Sequence, residues 1–558
     1  MSENRLMLDY IQDHETNLRN RVFMTQPIGN NEVVDYTWGQ TVDQARRMAA
    51  YLQSQGFPRG SRIAILSKNC AHFIMAEVAI WMAGYTTVAI FPTETAETIN
   101  YVLTHSEASL LFVGKLDTWP HQQPGVPKGL PCVAFPLAPK TEFDTWDAIV
   151  ARTAPLQGRL SRNADELAML IYTSGSTGTP KGVMITMEAF TRAGEGSSAV
   201  VQRLVGGSDN RMLSYLPLAH SFERTWAEAA SLVHGGMHLY FAESLDTFLQ
   251  DLQRARPTLF LSVPRLWLKF QQGVFAKMPP AKLDRLLGIP ILGKIVAKKV
   301  RAGLGLDQVK LAGSGSAPIP PGLIDWYRRI GLPLYEGYGM TEDSSYSHMS
   351  NAEHHAPGYV GVPLPGVQVK LSPEGEVLIK SPGQCIGYYK QPELTAASFT
   401  EDGFFRTGDL GERTPDGLLK LTGRAKELFK TAKGKYVAPA PIENRINAHP
   451  MVELSLVSGV GQPAAYAMVI LAEHLRPRMK EAELRAQVEK EMHQLLQEIN
   501  AAVSDHEQLH MIVVAQDPWS IENGFLTPTM KVRRGRIEKA MEPHVESWYA
   551  TKRRVHWH

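Results

Sequence analysis

Short apolar strands alternate with helices over residues 62–113, and this alternation most constrains the fold. Residues 62–67 (Arg-Ile-Ala-Ile-Leu-Ser), 86–90 and 109–113 read as strands, and residues 73–83 and 99–105 as the helices between them. Successive strands separated by a helix pair in parallel through crossovers, which requires helices on both sheet faces. Ahead of this series, Thr41 is placed to cap a helix carrying Val42, Ala45, Met48, Ala49 and Leu52 on one face. A second series near 212–216, 238–241, 259–263, 309–312 and 334–336 repeats the pattern without repeating the sequence. Between about 360 and 422 the texture changes to short strands with turns such as Pro373-Glu-Gly375 and Pro415-Asp-Gly417. After Gly423 come further strands and a long polar helix near 479–502. The expected class is α/β. A large N-terminal domain, 1–423, holds two doubly wound subdomains and a small β-barrel-like subdomain at about 360–423. A small α+β C-terminal domain, 424–558, follows.

Charge and cysteine content narrow the function. Lys and Arg total 58 against 56 Asp and Glu in 558 residues, so no nucleic-acid footprint is expected. Cys70, Cys132 and Cys385 are far apart and make neither a disulfide framework nor a metal cluster, which fits a reducing, cytoplasmic setting. The opening residues lack the basic-then-apolar layout of a signal peptide. The apolar stretch 73–91 contains Glu77 and Gly84 and ends at Pro92, so it reads as a buried helix and a strand instead of a membrane span. From Lys531 onward the tail carries eight Lys/Arg and three Glu. Such a tail suits either peripheral contact with the anionic inner face of a membrane or an ordinary solvated helix face, with Pro543 interrupting any continuous amphipathic helix.

The strongest chemical signal is Tyr172-Thr-Ser-Gly-Ser-Thr-Gly-Thr-Pro-Lys-Gly182, with apolar strands on both sides. Glycines let a backbone approach a phosphate, hydroxyls donate to it, and Lys181 adds positive charge. Pro180 stands where a Walker A loop needs glycine, so this is a different phosphate loop.

The loop resembles the signature of the adenylate-forming superfamily, which includes acyl-CoA ligases, peptide-synthetase adenylation domains and luciferases. Six further segments follow in that family's order. They are Leu216-Pro-Leu-Ala-His220, Gly313-Ser-Gly-Ser-Ala-Pro318, Tyr335-Glu-Gly-Tyr-Gly-Met-Thr-Glu342, Arg406-Thr-Gly-Asp-Leu410, Gly423-Arg-Ala-Lys426 and Leu526-Thr-Pro-Thr-Met-Lys531. The resemblance implies ATP-dependent formation of an acyl-adenylate, then thioester formation with CoA. It implies ATP and CoA as co-substrates, Mg²⁺ as cofactor, and a C-terminal domain that rotates about a hinge at Lys426.

By the same resemblance, Thr173, Ser174, Gly175, Ser176, Thr177, Gly178 and Lys181 hold phosphates. Gly315, Ser316, Ala317, Glu336, Gly337, Tyr338 and Gly339 border the nucleotide, with Tyr338 stacking on adenine. Thr341 bonds the α-phosphate, and Glu342 with Thr173 ligates the metal. Asp409 and Arg424 take the ribose, His220 gates the acyl pocket, Lys531 catalyses adenylation and Lys430 serves the second half-reaction. Most relatives carry Ser-Gly before the catalytic lysine. The Thr-Met found here, with Leu216–Arg224 and Ser262-Val-Pro-Arg-Leu-Trp267, is similar to the long-chain fatty acyl-CoA ligase branch. Phe222, Trp226 and Trp267 are candidate acyl-pocket residues, or else core aromatics. Two other functions stay open: delivery of the acyl group to a carrier protein, and a non-catalytic acyl- or nucleotide-binding module.

Overall fold

A computed structural model describes residues 5–174, 179–527, 530–551 and 553–558. The expected parallel series forms the centre of an eight-stranded sheet. Strand Arg62–Leu66 lies between Thr86–Ile90 and Ala108–Val113, parallel to both. Leu167–Ser174 extends the sheet beside Thr86–Ile90 and pairs antiparallel with Pro180–Thr186. The phosphate-loop sequence therefore joins two adjacent strands. Its residues Gly175, Ser176, Thr177 and Gly178 lie outside the described residues. Helix Ala71–Met82 is buried along its whole length, which explains why its sequence is apolar all round.

The second series divides between two sheets. Strands Asn210–Ser214 and Met237–Phe241 join the N-terminal hairpin Val22–Gly29 and Glu32–Thr37. Leu259–Ser262, Leu311–Ser314 and Leu334–Tyr338 form the parallel part of a five-stranded sheet. The β-rich region contains a four-stranded antiparallel sheet made from Gln368–Leu371, Glu376–Lys380, Phe405–Arg413 and Leu419–Arg424. The last region packs helices Pro439–Ile446, Ala482–Ala502 and Arg534–Tyr549 around a four-stranded sheet.

Two local expectations are corrected. The first long helix spans Trp38–Ser54 and is capped by Thr37, whose hydroxyl and Gln40 form a reciprocal capping box, while Thr41 is buried inside it. Pro543 does not interrupt the last helix, which runs Arg534–Tyr549 because buried Ile537, Val545 and Trp548 hold both halves against the sheet. The basic tail is itself a folded part of the domain. Arg534 donates to Glu443 at 2.7 Å and to the Val457 carbonyl at 2.6 Å, and Val555–Trp557 adds a strand beside Leu509–Ala515. Among the described residues no helix is long and apolar enough to cross a membrane.

Candidate active site

A cavity of about 2340 Å³ opens where the sheet ends, the antiparallel β region and the C-terminal region meet. Its polar end is built around Asp409. The antiparallel register sets Asp409 opposite Arg424, so the guanidinium Nε donates to one carboxylate oxygen at 2.7 Å. The Tyr338 phenol donates to the other at 2.6 Å. Burial, reinforced by the Asp409 charge, pushes that phenol far above its ordinary pKa, so it stays a donor. Arg424 is the last residue of its strand, in the same sheet as Asp409. A carboxylate held by two donors is oriented before any ligand arrives.

Lys531 lines the same cavity. Its backbone is fixed by Thr527, whose N–H donates to the Lys531 carbonyl at 2.8 Å and whose hydroxyl accepts the Lys531 N–H at 3.0 Å. Its ammonium is walled by protein yet open to the cavity. That partial desolvation, then the Arg424 cation, lowers its pKa, while Asp409, Glu342 and Glu427 pull it back. His220 also lines the cavity and caps the turn Ser221–Glu223, its Nδ1 accepting the Phe222 N–H at 3.1 Å. Burial, then the charge of Lys531, pushes His220 down to about 3. The imidazole is therefore neutral near pH 7, with Nε2 as its remaining N–H donor.

Thr341 and Glu342 begin a short 3₁₀ turn strapped to the segment after His220. Ser221 bonds Ser345 at 2.7 Å, Thr225 donates to the Ser344 carbonyl at 2.5 Å, and the Trp226 indole donates to the Ser345 carbonyl at 3.1 Å. Ser221 also lies 3.4 Å from the Thr341 hydroxyl. The Tyr388 phenol donates to Glu342 at 2.8 Å, and the Lys181 ammonium lies 5.7 Å from the Tyr388 ring centre. Glu342 and Thr173 both line the cavity. One carboxylate and one hydroxyl, supplemented by phosphate oxygens, is a donor set that fits Mg²⁺. Among the described residues no group of three or more His, Cys, Asp or Glu could hold a metal alone.

Gly315, Ser316, Ala317, Glu336, Gly337 and Gly339 line the cavity. A Cβ on Gly315 would sit 3.4 Å from the Phe222 ring, and one on Gly339 would meet the Ser345 backbone at 2.8 Å. Glu336 turns to the Ile319 N–H at 3.2 Å, and burial raises it to about 7. The apolar end takes Phe222 and Trp226, together with Leu261, Leu268 and Phe275. Trp267 is a core residue, fully buried against Phe260 and Tyr327 and absent from the cavity lining. Lys430 also lies off the cavity, exposed and 5.6 Å from the Tyr436 ring centre. Lys426 sits exposed in the turn Ala425–Glu427. Sequence reasoning missed Tyr388 and the serine straps, because no local pattern ties them to Glu342.

Comparison with known proteins places the chain in a family. Residues 12–389 match the family model described as AMP-binding enzyme, and 427–553 match the AMP-binding enzyme C-terminal domain. The chain is 30% identical over 560 residues to the long-chain-fatty-acid–CoA ligase FadD15 of Mycobacterium bovis, covering 92% of each. It is 27% identical to long-chain-fatty-acid–CoA ligase 1 of Cavia porcellus, covering 92% of this chain and 83% of that protein. Its fold is similar to the A domain of carboxylic acid reductase from Segniliparus rugosus, solved with AMP and a co-purified carboxylic acid. The TM-score is 0.80 at 21% identity, covering 99% of this chain and 95% of the other. With one family model spanning most of the chain and a second its C-terminal part, the protein belongs to the AMP-binding enzyme family.

Proposed function

We propose that the protein is an ATP-dependent fatty-acid–CoA ligase acting on long acyl chains. The observation that carries this reading is a single cavity with the Tyr338–Asp409–Arg424 cluster and Lys531 at one end and an apolar wall at the other. In the first step a substrate carboxylate oxygen attacks the α-phosphorus of ATP, and the bond to the bridging oxygen breaks to release pyrophosphate. An anion meets a polyanion, so positioning and charge compensation dominate catalysis. Asp409 accepts the ribose hydroxyls, Tyr338 stacks on the base, and Thr341 donates to the α-phosphate. Thr173, its following hydroxyls and Lys181 take the outer phosphates. The Lys531 ammonium lies against the attacking carboxylate and α-phosphate, where negative charge accumulates. When bound, Mg²⁺ would be held by Glu342 and the Thr173 hydroxyl and would offset phosphate charge. Neutral His220, which lines the cavity, gates the acyl chain without adding charge.

In the second step the CoA sulfur attacks the acyl carbon, the thiol proton is lost to solvent and AMP leaves. Rotation about the segment at Lys426, between domains 1–423 and 424–558, withdraws Lys531 and brings Lys430 toward the cavity. The curated relatives named as CoA ligases favour CoA as acceptor over a carrier protein. Peripheral membrane contact through the basic C-terminal tail is retained in this reading.

The test incubates the protein with fatty acids, ATP, Mg²⁺ and CoA and follows AMP and acyl-CoA. ATP–pyrophosphate exchange without any CoA-dependent product, or with product only on a holo-carrier protein, overturns the ligase reading. Lys531→Ala is expected to lose adenylation yet convert supplied acyl-adenylate with CoA. Equal loss of both halves contradicts its role.

A further inference from the structure

Helix Pro264–Lys277 contributes Leu268, Gln272 and Phe275 to the apolar end of the cavity. Directly after it come two helices, Pro280–Leu287 and Leu292–Gly303. Their inner residues Leu283, Ala297, Val296 and Val300 pack in one core with Phe270 and Phe275. The connection between them is different. Ile289 is 43% exposed, Ile291 75%, Leu292 40% and Ile295 49%, so four large aliphatic side chains lie open within seven residues. Scattered exposed apolar residues are ordinary, but a cluster signals contact with something else. At its apex Ile291 has φ +67° and ψ −56°, a conformation that β-branched residues avoid, and the Leu292 N–H closes a tight turn onto the Pro290 carbonyl at 2.8 Å.

The charge around this apex has one sign. Residues 277–301 carry seven Lys/Arg and one acid, Asp284, which pairs with Arg329 at 2.9 Å. On the second helix Lys298 and Lys299 follow Ile295 at helical spacing, so cations flank the exposed isoleucine on the outer face while the inner face is already packed. Exposed aliphatics at a turn, rimmed by lysines, match the pattern of a surface that lies in a lipid headgroup layer.

We propose that this tip, residues 289–299, docks the protein on an anionic lipid bilayer. The aliphatic side chains enter the headgroup–acyl boundary, and Lys294, Lys298 and Lys299 meet lipid phosphates. Through the core shared with the two helices that follow it, the wall helix links the bilayer side to the apolar end of the cavity. Delivery of a fatty acid along that side rests on the ligase reading, whereas docking itself does not.

The test is sedimentation with phosphatidylcholine vesicles containing phosphatidylglycerol, and with pure phosphatidylcholine vesicles, without ATP or CoA. Two variants are compared, Ile291→Ser with Ile295→Ser, and Lys294→Gln with Lys298→Gln and Lys299→Gln. Every substituted side chain is exposed, so both variants should melt like the parent protein and keep its rate on a short, soluble acid. Partitioning to anionic vesicles should fall about tenfold or more in each, because each pair or triple removes either the inserting surface or several attractive charges. The rate on vesicle-dissolved long-chain acid should fall relative to the soluble acid. Unchanged partitioning in both variants overturns the proposal. So does finding that the same substitutions abolish a dimer, or binding to an acidic carrier protein, while the parent protein never partitions to vesicles.

Discussion

Replacing Tyr338 by Phe keeps the ring and removes only the 2.6 Å hydrogen bond to Asp409. The bond is present before ligand binds, so its loss falls first on stability. A hydrogen bond to a charged group contributes about 1.5–3 kcal/mol, and that is the expected cost by urea denaturation. Affinity changes for a different reason. Asp409 is 6% exposed and is left with Arg424 on one oxygen only. Its carboxylate must then be ordered by the nucleotide, at roughly 0.5–1.5 kcal/mol for an immobilised side chain. AMP and ATP dissociation constants should therefore rise about two- to tenfold, since 1.4 kcal/mol is tenfold. Tyr338→Ala should weaken binding further, because the proposed stacking on the base is lost as well. Titration calorimetry with AMP, beside pyrophosphate exchange, separates the effects. A Phe variant that binds AMP as tightly as the parent protein while Ala does not would show that the phenol does not orient Asp409. Added to Arg424→Gln, Tyr338→Phe should cost more than the sum of the two, because the carboxylate then loses both donors.

Three further outcomes follow from buried groups. Burial raises Glu223 to about 8 from an ordinary 4.5. The folded state therefore takes up a proton that the unfolded state has released, and stability falls as pH rises from about 4.5 to about 8, by roughly 1.4 kcal/mol per unit. Glu223→Gln should remove that slope in urea melts across the window, and a parallel profile would refute the assignment. Trp267→Ala should cost about 3–5 kcal/mol as a core truncation without changing acyl-chain preference. Trp226→Ala, at the cavity wall, should shift preference toward longer or bulkier acids in a substrate panel.

Sequence was most informative where function sits in one contiguous segment. Tyr338, Thr341 and Glu342 lie within five positions, and Asp409 and Arg424 are brought together by a hairpin whose Gly/Pro turn is visible in the sequence. The position of Tyr388 depends on a different kind of contact. Gly387 and Tyr388 pair with Met184 and Val183, at the far edge of the eight-stranded sheet, and only that long-range pairing brings the phenol to Glu342. Trp226 and Trp267 illustrate the same limit. Both are large apolar residues in helical segments, and cavity wall and core have the same composition, so only packing separates them. The capping error is different, because Thr37 with Gln40 three residues on was a readable capping box and outranked Thr41. Pro543 was overridden by tertiary packing, which kept a helix where local chemistry argued for a break.

The helix Pro264–Lys277 gives these separate features a common element. Near its start Arg265 pairs with Glu453 of the C-terminal region, which also receives Arg476, and Lys269 lies 3.9 Å from Glu473. Its middle lines the apolar end of the cavity, and helix Pro280–Leu287 follows it before the basic, aliphatic tip. Fourteen residues of helix span about 21 Å, so one element carries both these contacts and part of the cavity wall. Glu453 begins one residue into strand Val452–Ser458, in the same sheet system that supports the segment bearing Lys531. The rotation proposed to withdraw Lys531 would separate Arg265 from Glu453, whose side chain is only 11% exposed, and Lys269 from Glu473, an exposed pair of modest strength. In the proposed reading, the C-terminal region that carries Lys531 is joined to the acyl-pocket wall by one half-buried and one exposed ion pair, while the wall itself stays packed in its own core.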